Sequence, residues 1–62
     1  MKLTEIVATR ASSNFVLIYI MDGKRKMKPG MMMDEIKDFV RKEEIIIDDY
    51  AVCQGEIVKE FG

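Results

Sequence analysis

Few residues in this chain have chemistry to offer. Cys53 is the lone thiol, and histidine is absent. A cysteine nucleophile needs a base or a positive field to become thiolate, and the ordinary base is missing. The same gap removes the common catalytic triads and most transition-metal sites. A zinc site of the usual kind fails as well, because Cys53 has no second thiol or imidazole to join it. Tyr19 and Tyr50 read as packing residues with a polar tip. No Gly-rich phosphate loop exists; Asp22-Gly23-Lys24 and Pro29-Gly30 are turn chemistry. A chain this short also has little room for a water-excluding pocket of roughly 300 Å³ or more. The expectation is a protein that is not an enzyme, needs no cofactor and no metal, and takes no small-molecule substrate.

Three clusters remain to be read. Lys24-Arg25-Lys26-Met27-Lys28 is the one dense positive run, and as a strand it would show Lys24, Lys26 and Lys28 on one side. Such a stripe could hold phosphates of a nucleic acid, or an acidic protein. Lysines that guard an edge strand against stray pairing give the same pattern. A pI near 5.3, with no aromatic residue in the run to stack on bases, favours the guarded edge. Glu43, Glu44, Asp48 and Asp49 surround Ile45-Ile46-Ile47. Carboxylates bind hard cations only where they converge, and neighbours on a strand point to opposite faces. A solvated acidic connection is expected there, or one that meets the basic strand of a neighbouring subunit. Met31, Met32 and Met33 open the helical segment, and successive positions step by about 100° around a helix. All three cannot face inward, so a contact surface is expected around Met31 and Met32.

These clusters must be positioned by a small set of elements. Lys2 to Arg10 is suggestive of a first strand, and Ser12-Ser13-Asn14 of a turn. Phe15 to Met21 is the clearest strand, β-branched and aromatic, with apolar residues on both faces. Asp22-Gly23 is a strong signal for a type I′ hairpin, and Lys24 to Lys28 would be the return strand, ending at a Pro29-Gly30 turn. Met31 or Met32 to about Glu43 reads as the one helix. Met32, Met33, Ile36, Phe39 and Val40 share its apolar side, and Asp34, Lys37, Asp38, Arg41 and Lys42 its polar side. Ile45 to Ile47 is β-branched, and Asp48-Asp49 bends it or marks an edge; Tyr50 to Gln54 and Glu56 to Phe61 look extended, with Gly55 a bulge or turn. The expected class is α+β: a small antiparallel β-sheet, β-β-β-α-β with or without a final β-hairpin, packed against one amphipathic helix. No linker or repeat divides the 62 residues, so one domain, 1–62, is expected.

A domain this small hides only about 60% of its unfolded surface, and disulfides and metals are out of reach, so association is the remaining support. One helix shelters one sheet face. The other face of the central strand, Val16, Ile18 and Ile20, would then meet a second copy of the chain, a dimer being favoured. Two alternatives stand beside this: the exposed set is Phe15, Leu17 and Tyr19, or the final hairpin or N-terminal segment folds over the open face. No apolar stretch approaches the roughly 20 residues a bilayer crossing needs. Met1 to Glu5 lacks a signal-peptide core, so a cytoplasmic location is expected. In length and element order the chain resembles small accessory proteins of bacteria and their phages. That resemblance implies a protein-binding or regulatory role and carries no residue across.

Overall fold

The computed structural model describes residues 7–60. In chain order these form β1 (Val7–Met21), β2 (Lys24–Met31), α1 (Met33–Lys42), a 3-10 turn (Ile47–Asp49) and β3 (Tyr50–Glu60). The strands make one antiparallel sheet in the order β2-β1-β3, and α1 packs on one of its faces. The chain is thus α+β, with a small antiparallel sheet under a single helix.

The described order is β-β-α-β, one strand fewer than expected, because Ser12-Ser13-Asn14 bends a strand instead of reversing it. Arg10 faces Glu56 and Phe15 faces Gln54, so Ala11 to Asn14 stand opposite Gly55 alone. The Ser12 hydroxyl accepts a hydrogen bond from the Asn14 amide at 3.2 Å. That local bond suits short polar side chains to turns, and here it shapes a bulge. Lys2 to Ile6 and Phe61 lie outside the described residues. Gly55 is likewise a bend within β3 and not the tip of a final hairpin. Its φ is +123°, and a Cβ built there would stand 2.3 Å from the Arg10 backbone oxygen.

The bend closes the sheet on itself. A straight strand of 15 residues would run about 50 Å, whereas the molecule measures 28 × 26 × 14 Å. Arg25 pairs opposite Ile20 and Glu60 opposite Val7, positions roughly 40 Å apart on a flat sheet. Yet the Arg25 guanidinium meets the Glu60 carboxylate at 3.0 Å. The ribbon of Val7–Arg10 and Glu56–Glu60 therefore arches back over the sheet face turned away from α1. Val16 and Ile18 lie on that face, and each is 0% exposed within the single chain. This corrects the expected interface. Val16 and Ile18 are core, and Ile20 is half-buried, because the arched ribbon supplies the cover that a second copy was expected to give.

The helix-side core is Leu17, Tyr19 and Ile36, flanked by Phe15, Met21, Met31, Phe39, Val40, Ile45, Tyr50 and Val52. Tyr19 and Phe39 meet edge to face with centroids 5.2 Å apart. The β1–β2 hairpin has the expected two-residue loop, Asp22 at φ 55° and Gly23 at φ 74°. Pro29-Gly30 does not end β2. Phe15 pairs with Met31 and Leu17 with Lys28, so the dipeptide forms a bulge, with Gly30 at φ +71°. At the start of α1 the Glu35 carboxylate accepts from the Met32 amide at 3.2 Å. At its end the Ile45 amide bonds to the Val40 carbonyl and the Glu44 amide to the Arg41 carbonyl. Glu44 takes the left-handed conformation this double cap requires.

Ile45 is thereby drawn against Val40, and Ile45-Ile46-Ile47 is no strand. The Asp49 amide closes the following 3-10 turn on the Ile46 carbonyl at 2.9 Å.

Candidate functional site

The two sheet edges differ in kind. β2 forms one edge, and Lys24, Lys26 and Lys28 are exposed along it. They pair opposite Met21, Tyr19 and Leu17, so all three share the helix-bearing face, as the alternation required. The Lys28 ammonium lies 5.0 Å from the centre of the Phe39 ring, where it covers an apolar edge of the helix. Pro29 removes one further donor from this edge. Among the described residues, β3 forms the opposite edge. From Tyr50 to Gln54 it carries no charged side chain of the kind that discourages edge pairing.

A groove of about 380 Å³ opens beside that bare edge, between α1 and β3. Met33, Ile36 and Val40 from the helix and Tyr50 and Val52 from the strand form its apolar lining, and Lys37 and Arg41 complete it. The positions follow from local periodicity. Met33, Lys37, Val40 and Arg41 recur at i, i+4, i+7 and i+8, one side of the helix. Tyr50 and Val52 alternate onto the helix-bearing face of the sheet, opposite Tyr19 and Leu17. The volume is one a small domain was not expected to provide, but it forms an open groove and does not enclose a reaction space.

Exposed apolar side chains stand in the segments that lead into α1 and β3. Ile46 is 62% and Ile47 is 78% exposed, and the latter opens the 3-10 turn that leads directly into Tyr50. Met32 and Met33 are exposed at the other end of α1. Of the two methionines expected at a contact surface, Met32 lies open, whereas Met31 is half-buried and packs against the core. The sequence reading missed Lys37 and Arg41 as site residues, since they sit on the polar side of the helix. Their spacing four apart, beside Met33 and Val40, was the available signal. It also missed Ile46 and Ile47, because β-branching suggests a buried strand.

The reactive groups stand apart from the groove lining. Burial raises the Cys53 thiol above its ordinary value, which disfavours thiolate. Cys53 pairs opposite Val16 on the arched-over side of the sheet. Among the described residues, no three cysteine or carboxylate side chains come together as a metal site, and no helix is long and apolar enough to cross a membrane. Arg10 and Glu56 form an exposed ion pair at 2.7 Å across the arched ribbon. No protein-family model matches the chain, and neither does any curated protein or solved structure.

Proposed function

We propose that this protein is a non-enzymatic protein-interaction module that self-associates, and that it does so on the α1/β3 side of the sheet. One observation carries the reading: an apolar groove opens between α1 and β3, and two exposed isoleucines stand within four residues of its lining residue Tyr50. Contiguous exposed apolar surface of this kind marks contact sites in soluble proteins. The groove's shape and aliphatic lining suit side chains of a partner, and a bare strand edge offers main-chain hydrogen bonds to one. A dimer or larger particle is expected by light scattering at micromolar concentration, persisting at high salt because burial of apolar surface drives it. A monomer throughout that range would refute self-association. The expected regulatory role and cytoplasmic location belong to this same reading.

Nucleic-acid binding through Lys24, Lys26 and Lys28 is the second reading, favoured by their common exposure on one face. Engagement of Lys28 with Phe39 and an acidic pI weigh against it. Retention on heparin at low salt with steep release as salt rises supports it; passage without retention discards it.

A further inference from the structure

The groove is basic at its flank, and one segment of this chain matches it in opposite charge. Lys37 and Arg41 lie along an aliphatic trough, and among the described residues neither is in an ion pair. Glu43-Glu44-Ile45-Ile46-Ile47-Asp48-Asp49 brackets two exposed aliphatic side chains with carboxylates on both sides. Ile46 has extended backbone, φ −76° and ψ 158°, and stands out from the surface ahead of the 3-10 turn. Within one chain the projection and the trough are not joined: Ile45 alone of the three isoleucines turns into the core, and Ile46 and Ile47 do not line the groove.

We infer that the occupant of the groove is a second copy of this chain, which seats Ile46 and Ile47 between α1 and β3 and sets its acidic flanks against Lys37 and Arg41. The inference rests on the self-association proposed above and names its surface. The two halves of the contact are close in the chain, since the 3-10 turn runs straight into the groove residue Tyr50. A two-fold arrangement satisfies both halves at once and closes at two copies, as isologous contacts do. The carboxylates and cations set register and partner choice, and the isoleucines supply most of the affinity.

The test compares the full chain with Ile47→Asp and with Lys37→Glu/Arg41→Glu, by sedimentation and by urea unfolding. Ile47 is exposed in the single chain, so the substitution is expected to leave the fold of the monomer intact. Dimer dissociation constants are expected to rise about tenfold or more in each variant. Combining Lys37→Glu/Arg41→Glu with Asp48→Lys/Asp49→Lys is expected to restore association, a rescue that mere damage to the fold would not give. Dimers that survive Ile47→Asp unweakened would overturn this surface while leaving self-association standing. A wild-type monomer would overturn both. A wild-type monomer whose α1 and β3 amide signals shift only on adding a foreign acidic, aliphatic peptide would also overturn it, and would assign the groove to a different protein.

Discussion

Gly55 shows how much of this fold turns on single residues. Its φ of +123° lies where side chains are rarely tolerated, and the space a Cβ would need is filled by the Arg10 backbone. The contact is with main chain and so cannot be relieved by a rotamer change. Gly55→Ala is expected to destabilise the protein by about 2 kcal/mol or more, read as a lower urea midpoint. A change below about 0.5 kcal/mol would show that the bend relocates without strain. The identity of this glycine as a punctuation point was legible, since an isolated glycine between extended segments signals a bulge or a turn. Which of the two possibilities held was not legible, because the colliding atom belongs to a residue 45 positions earlier in the chain.

At the scale of elements, α1 was readable from its period and β1 only in part. Ile36, Phe39 and Val40 recur at helical spacing, and the structure buries Ile36 fully and its two neighbours by half. Ile36 is the helix's one fully buried anchor on Leu17 and Tyr19. Ile36→Ala is expected to cost about 3 kcal/mol, measured by denaturant unfolding. In a domain whose core supplies only about 3–5 kcal/mol, that loss leaves a large unfolded fraction. A loss below about 1 kcal/mol would mean that α1 is held on the sheet by other contacts. β1 was divided at Ser12-Ser13-Asn14 because a turn and a bulge use the same short polar residues. The triple isoleucine misled for a related reason. β-branching favours strands, but a helix cap that draws Ile45 onto Val40 left no strand for its neighbours to extend.

For the whole molecule, the arched ribbon decides what is inside. Arg25 and Glu60 tie its far end to β2, and both retain some solvent exposure, so the pair is worth at most about 1 kcal/mol. Glu60→Gln is therefore expected to lower stability by about 0.5 kcal/mol at low salt and by less at high salt. Paired urea titrations at two ionic strengths measure this. A loss above about 2 kcal/mol would mean that the ion pair, and not the apolar cover over Val16 and Ile18, keeps the ribbon folded back. With that face closed, Val16 and Ile18 are withdrawn from any contact with a partner. The contact-making role proposed for this protein is therefore assigned to the α1/β3 side, and not to the Val16 and Ile18 face that alternation pointed to.

Local patterns alone determined the α+β class, the type I′ hairpin at Asp22-Gly23, the single amphipathic helix and the lysine stripe on the return strand. Each depends on neighbours within a few positions, which is the range over which backbone preference and side-chain period act. Only the tertiary structure decided that Val16 and Ile18 are sheltered by their own chain and that Lys37 and Arg41 flank a groove. Both outcomes hang on where distant strands meet. Alternation divides a strand into two faces, but the cover each face receives is set by long-range packing.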